Sequence, residues 1–182
     1  MIKIIALMGE AGSGKDTMLK YIQQITCGMF NEIVSCTTRP KRDCEIEGIS
    51  YHFLKGEDFL EKVENGEMLE HTAFNGWFYG TSLDSLSAEK INIGVFNPAG
   101  IYDLMMNKDI ELKIFWIKTS EKTRLLRQLN REENPKVSEI IRRYQTDKDD
   151  FCLLDDIPYI EIPNEKEEDL RQGALSILDK IN

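Results

Sequence analysis

The sequence predicts an α/β domain in three layers, a parallel core sheet with helices on both faces. Three observations carry that prediction. Short apolar runs of strand length alternate with stretches of helical periodicity along most of the chain. A glycine-rich loop joins the first of these runs to the first helical stretch. The alternation breaks once, over a polar stretch at residues 36–82 that has the size of an inserted subdomain. Strands that alternate with helices are joined by crossovers and therefore run parallel, and parallel strands, buried on both faces, read as continuous apolar runs.

The elements follow in order. "IKIIAL" from Ile2 is the first strand, and residues 15–25 form a helix with Met18, Leu19, Ile22 and Ile25 on one face. "EIVS", ending at Ser35, is the second strand. The insertion that follows holds Gly48, Gly66, Gly76 and Gly80, together with Tyr51, His52, His71 and Tyr79 as side chains able to meet a ligand. "INIGVF" from Ile91 and "LKIFWI" from Leu112 resume the sheet. Ser120 is placed as the N-cap of a helix carrying Leu125, Leu126 and Leu129. Ser138, just after Pro135, is placed as the cap of a second helix reading "SEIIRRYQTDKDDF". "IPYIEI" from Ile157 is the last strand, and the last helix carries Leu170, Ala174, Leu175 and Leu178. The acidic run "NEKEEDL" opens that helix, where carboxylates complement the positive end of its dipole.

A chain of 182 residues, 41% hydrophobic and 30% charged, suffices for one domain with a substantial core. Its 32 acidic against 23 basic side chains leave a net charge of −9, which argues against nucleic acid as a partner, because displacing counterions from a polyphosphate needs an excess of Lys and Arg. Any anionic ligand must therefore meet a local basic cluster. Cys27, Cys36, Cys44 and Cys152 form no C-x-x-C pair and only His52 and His71 are available to join them, so zinc-ligand spacing is missing and reduced thiols are expected. "IKIIALMG" is too short for a signal segment, and no run approaches the ~20 apolar residues of a membrane span. The expectation is a cytoplasmic protein that does not engage membranes, as a monomer or a homodimer.

"GEAGSGKDT" at residues 9–17 nearly matches the phosphate-binding pattern G-x-x-x-x-G-K-[ST]. Between a buried strand and a helix, such a loop turns successive amides toward phosphate oxygens and adds the field of the helix N-terminus. Gly9, Gly12 and Gly14 permit close backbone approach, Glu10, Ala11 and Ser13 complete the loop, and Lys15 reaches the β- and γ-phosphates as a point charge. Asp16 stands where a hydroxyl normally ligates Mg²⁺. A carboxylate is itself a hard oxygen ligand and Thr17 offers a hydroxyl one residue later, so the substitution alters metal coordination and leaves the phosphate cradle intact.

Downstream stand "SCTTRPKRDCEIEGISYHF" at residues 35–53 and "GEMLEHTAFNGWFYGTS" at residues 66–82. Here the sequence resembles guanylate kinase, whose members share S-x-T-T-R-x-x-R, G-x-x-Y-x-F, E-[FM]-[IL]-E and a Y-G-[ST] turn in this order and at nearly this spacing. The likeness extends over essentially the whole chain. It implies the P-loop NTPase fold with a core at residues 1–35, 83–119 and 151–182, a nucleotide-monophosphate-binding insertion at 36–82 and a helical lid at 120–150. It also implies transfer of phosphate from ATP to GMP or dGMP with Mg²⁺. Arg39 and Arg42 are guanidinium forks suited to a dianionic phosphate, and the phenols of Tyr51 and Tyr79 add donors. They are the local basic cluster that the acidic total charge demands. Glu70 takes the position of the base reader, its two acceptors matching the N1–H and N2–H₂ donors of guanine, while Ser35 and Thr81 take hydroxyl positions near the base.

In this family a lid closes over the donor phosphates and delivers arginines. Arg127, Arg131, Arg142 and Arg143 are the candidates here, and Arg131 and Arg143 match the family spacing best as catalytic partners of Lys15. Asn164, after the last strand, takes a position that approaches the donor adenine. One segment departs from the pattern: where the family carries D-x-D-x-Q-G, this chain reads "VFNPAG" at residues 95–100, with Val95 and Asn97 in place of two carboxylates. Asp16 then restores a negative charge to the region that Val95 has lost, and Asn97 keeps a hydrogen-bonding group at the base edge. The residues leave two alternatives open, a kinase for another (deoxy)nucleoside monophosphate and a guanylate-kinase-like binding module without activity.

Overall fold

The computed structural model describes residues 1–41, 45–74, 76–131, 133–154 and 156–181. Its strands are β1 (Ile2–Met8), β2 (Asn31–Glu32), β3 (Cys36–Thr37), β4 (His52–Phe53), β5 (Met68–Phe74), β6 (Trp77–Ser82), β7 (Asn92–Val95), β8 (Ile110–Lys118) and β9 (Tyr159–Pro163). Its helices are α1 (Lys15–Ile25), α2 (Gly56–Glu64), α3 (Pro98–Met106), α4 (Glu121–Leu129), α5 (Val137–Asp150) and α6 (Glu167–Ile181). The core sheet has the order β2-β7-β1-β8-β9 and is parallel throughout. A second sheet, β4-β3-β6-β5, is built from the inserted stretch, with β6 antiparallel to both β3 and β5.

The alternation of β1 explains the layers. Ile5 and Leu7 point to one face, where they pack with Met18 and Ile22 of α1 and Ala174 and Ile177 of α6. Ile4, Ala6 and Met8 point to the other, against Ile101 and Leu104 of α3 and Trp116 of β8. Both faces of the central strand are thus removed from water, which is why "IKIIAL" carries no polar alternation, and each buried Ile, Leu or Met side chain contributes about 1.5–3 kcal/mol. From β1 the chain crosses to β2 on one side and later to β8 on the other. This reversal leaves a crevice at the carboxyl ends of the strands, the usual ligand position in open parallel sheets.

Several local expectations need correction. Of the second run only Glu32 is strand, as the end of β2 (Asn31–Glu32), and the last strand begins at Tyr159. Ser120 caps α4, its Oγ accepting from Thr123 N at 3.3 Å, but α5 starts at Val137 after Lys136 and has no side-chain cap, so Ser138 lies inside the helix. On α4 the apolar face is not the buried one: Leu126 and Leu129 are exposed and Arg124 is buried. Because α4 rests on the polar phosphate loop, its inward face needs a hydrogen-bonding cation rather than leucine. On α6, Leu175 is exposed and Gly173 is buried, and at the end of α1 Ile25 is exposed.

Candidate active site

A cleft of about 410 Å³ lies between the phosphate loop, the second sheet and α5. Its floor begins where β1 ends. Gly12 and Gly14 have φ of 82° and 90°, the left-handed region that a side chain disfavours, and Gly14 serves as the N-cap of α1. Added Cβ atoms would also collide with the Arg124 carbonyl at Gly12 and with the Asn164 amide at Gly14. The loop carbonyls are tied down from outside the cleft. Asn164 Nδ2 donates to Ser13 O at 2.7 Å, Thr119 Oγ1 to the same oxygen at 3.0 Å, and Arg127 Nη1 to Ser13 O at 3.2 Å and Gly12 O at 3.4 Å. Gln128 Nε2 donates to Ala11 O at 3.3 Å. Glu10 accepts from Trp116 Nε1 at 3.0 Å and pairs with Arg124 at 3.4 Å.

Asn164, expected near the donor adenine, has its side chain buried beneath the loop and donating to a loop carbonyl, which it braces. Gly9, Ala11 and Lys15 line the cleft, while the Ser13 hydroxyl is buried below it. Lys15 Nζ lies 3.8 Å from the exposed Asp16 carboxylate, and the Thr17 side chain is exposed.

The opposite wall comes from the inserted sheet. Cross-strand pairs Glu70 with Thr81 and Thr72 with Tyr79 place these four side chains on one face. A register shift between Met68 and Glu70 turns Glu70 onto that face. Tyr51 and Tyr79 meet edge to face at 6.2 Å, and the Arg39 guanidinium lies 5.6 Å from the Tyr51 ring and 2.6 Å from Glu45 Oε1. Burial, then the neighbouring charge of Asp16, pushes the Tyr51 phenol up to about 12, so it remains a donor at physiological pH. That influence of Asp16 on Tyr51 spans the cleft from loop to sheet. Arg42, the second expected fork, lies outside the described residues.

Glu70 sits at the cleft's inner end, only 7% exposed. Burial pushes its carboxyl up to about 7, and Asp103 adds to this; the Thr81 hydroxyl beside it pulls the other way, though its geometry falls short of a full hydrogen bond. Asn97 is the N-cap of α3, its Oδ1 accepting from Gly100 N at 2.8 Å. A Cβ on Gly100 would stand 3.0 Å from Glu70 Oε2 and 3.2 Å from Asn97 Oδ1, so glycine there lets the carboxylate approach the start of the helix. Ser35, Val95 and Asn97 line the same end of the cleft.

From α5, Arg142 and Arg143 both line the cleft, and Glu139 holds them at 2.8 and 2.9 Å. These guanidinium groups pull the Glu139 carboxyl down to about 2. Arg131 is exposed and is not among the cleft-lining residues. It follows the end of α4 in the connection to α5, whereas Arg142 and Arg143 sit within α5, on turns that face the loop. Sequence reasoning missed Asp147, whose carboxylate accepts from Ala11 N at 2.7 Å, and the buried Arg124 beside it. It also missed Glu45 and Glu139 as partners of the arginines. The i, i+3 and i, i+4 spacing of Glu139 was a readable signal for its pairs; nothing local marks Asp147.

The geometry therefore sets the glycine-rich loop against a sheet that presents a cation, two phenols and a buried carboxylate. The profile of the guanylate kinase family matches residues 1–154. Guanylate kinase of Thermotoga maritima is 30% identical over 97% of this chain and 86% of its own length. That of Prochlorococcus marinus is 44% identical over 92 residues, which cover 50% of this chain and 49% of the relative. Among solved structures, guanylate kinase from Anaplasma phagocytophilum superposes with a TM-score of 0.71 at 23% identity, covering 98% of this chain and 86% of that one, and shares the fold. The chain belongs to the guanylate kinase family, whose members are nucleoside monophosphate kinases.

Proposed function

We propose that the cleft transfers the γ-phosphoryl group of ATP to the phosphate of GMP or dGMP, giving ADP and GDP or dGDP. The observation that carries this reading is the buried Glu70 carboxylate facing the same cleft as the glycine-rich loop. In this reading a phosphate oxygen of the acceptor attacks the γ-phosphorus, the bond to the β–γ bridging oxygen breaks, and ADP leaves. The transferring group carries spread negative charge, so the work is positioning and electrostatic stabilisation. Residues 9–17 hold the donor phosphates, with Lys15 at the β- and γ-oxygens. Arg39 with Arg42, Tyr51 and Tyr79 hold the acceptor phosphate. Glu70 accepts from guanine N1–H and N2–H₂, with Ser35, Thr81 and the free amide edge of Asn97 around the base. Arg143, joined by Arg142, neutralises the transferring group. Residues 36–82 act as the acceptor unit and 120–150 as the lid.

The paired carboxylates support this assignment. Glu45 on Arg39, Glu139 on Arg142 and Arg143, and Asp16 on Lys15 each keep a cation ordered at the cleft, and phosphate oxygens exchange with them. Among the described residues no group of three or more His, Cys, Asp or Glu could hold a metal. Mg²⁺ fits nonetheless, because it is commonly held by one or two carboxylates together with substrate phosphates, and Asp16 is an exposed hard-oxygen donor whose charge reaches the acceptor-side Tyr51. Asp16 and the Thr17 hydroxyl would hold it. Bound there, Mg²⁺ supplies neutralisation of charge on the bridging phosphates. No helix among the described residues is long and apolar enough to cross a membrane.

The test is ADP release with ATP and Mg²⁺ against GMP, dGMP, AMP, UMP, CMP and dTMP, with Lys15→Ala as control. Turnover confined to GMP and dGMP and lost with Lys15 is expected. Turnover centred on another nucleotide refutes the base assignment, and no Lys15-dependent turnover with any of them refutes the reaction.

A further inference from the structure

The front of the phosphate loop already carries an anion of the protein's own. The Ala11 amide donates to Asp147 Oδ2 at 2.7 Å, although Asp147 stands on α5 and is 136 residues distant in sequence. The same oxygen lies 3.9 Å from Arg124 Nη1, and Lys15 attracts the carboxylate while Glu10 opposes it. Ala11 and Asp147 both line the cleft, as do Lys15 and Arg143, the latter one helical turn before Asp147. Loop amides of this kind bind phosphate oxygens, and among side chains a carboxylate is the nearest chemical equivalent.

We propose that Asp147 competes with the donor phosphates for the loop: its carboxylate occupies the Ala11 amide, lowers the affinity for ATP, and is displaced when the triphosphate enters. This rests on the reading of residues 9–17 as the donor site. Two charges of the same sign a few ångströms apart repel most where water is scarce, and the Asp147 side chain is only 20% exposed. Displacement also couples the two halves of the site, since the helix that releases the loop is the one that carries Arg142 and Arg143. A plain structural tie between α5 and the loop predicts the opposite sign, because removing it would loosen the loop and weaken ATP binding.

Calorimetric titration of the full chain with ATP and excess Mg²⁺ separates these outcomes for wild type, Asp147→Asn, Asp147→Ala and Lys15→Ala. Asn keeps an acceptor for Ala11 and loses the charge; Ala loses both. Both Asp147 variants are expected to bind ATP about tenfold tighter, equivalent to about 1.4 kcal/mol, with GMP affinity unchanged. Unchanged or weaker ATP binding in Asp147→Asn overturns the proposal. If Lys15→Ala fails to weaken ATP binding, the donor-site reading itself falls, whatever the Asp147 variants do. Should neither Asp147 variant fold, the carboxyl ¹³C resonance of Asp147 in the wild type decides: it shifts on saturation with ATP if the carboxylate is displaced, and a resonance that stays in place overturns the inference.

Discussion

Replacing Glu70 by Gln tests the acceptor site most directly, because the structure predicts opposite effects on activity and stability. The carboxyl is 7% exposed and burial pushes it from an ordinary 4.5 up to about 7. A group whose folded value is raised contributes stability that is fully present below its unfolded value and lost as pH rises through the folded one, here between about 4.5 and 7. A rise of that size corresponds to about 3 kcal/mol, so Glu70→Gln, neutral at every pH, should be more stable than wild type by up to that amount at pH 8 and about equal to it at pH 4. For catalysis the sign reverses. Gln retains one acceptor but turns an amide N–H₂ toward a guanine donor, leaving two buried donors opposed. Loss of a charged, buried hydrogen-bond pair at ~1.5–3 kcal/mol lowers kcat/KM for GMP about 10- to 100-fold. In wild type the apparent KM for GMP should rise about tenfold per pH unit as pH falls below about 7, since guanine needs the ionised carboxylate, and the variant should lose this slope. The assays are thermal unfolding at pH 4 and pH 8, and GMP saturation at fixed ATP between those values. A pH-independent KM in wild type, or a variant no more stable at pH 8, refutes the reasoning.

Other outcomes follow from the same geometry. Gly100→Ala should raise the KM for GMP about tenfold with little change in that for ATP, because the added methyl stands 3.0 Å from Glu70 Oε2 and must displace the carboxylate; equal effects on both substrates in steady-state kinetics would contradict this. Asn164→Ala should lower stability by about 0.5–1.5 kcal/mol in urea unfolding and weaken ATP binding without altering GMP binding, since it removes the shortest of three donors to Ser13 O and leaves those of Thr119 and Arg127. Asp16→Ala should raise the Mg²⁺ concentration giving half-maximal turnover several-fold, which a metal titration at saturating substrates reads; an unchanged requirement would remove Asp16 from metal binding.

Residues 1–17 illustrate what could be read without coordinates. An unbroken apolar run, a glycine-rich loop with Lys15 and a helix of correct period are local facts, and local chemistry was sufficient for strand, turn and helix to follow in the register seen. The grouping of Arg39, Tyr51, Glu70 and Tyr79 was also legible, though only because their combined spacing is specific to a family; periodicity alone would have left Glu70 a surface carboxylate. Tertiary structure decided the rest. Arg124 is buried and its leucine neighbours are not, because the surface beneath α4 is a polar loop rather than the sheet, and no periodicity records what a helix will meet. Asn164 braces Ser13 across 151 residues, and Arg142 reaches the cleft while Arg131 does not, since the direction of a side chain depends on how α4 and α5 dock. The Asp147 carboxylate belongs to the same class: alone it is one acid in the acidic stretch "DKDD", and it becomes an anion at the phosphate loop only through a contact 136 residues long. Sequence by itself determined the order of elements, the phosphate loop and the chemistry available to each wall of the cleft, because covalent neighbours and spacing dictate these. Which buried charges meet, and at what pKa, was left to packing, because burial and partnership exist only once distant segments share a volume.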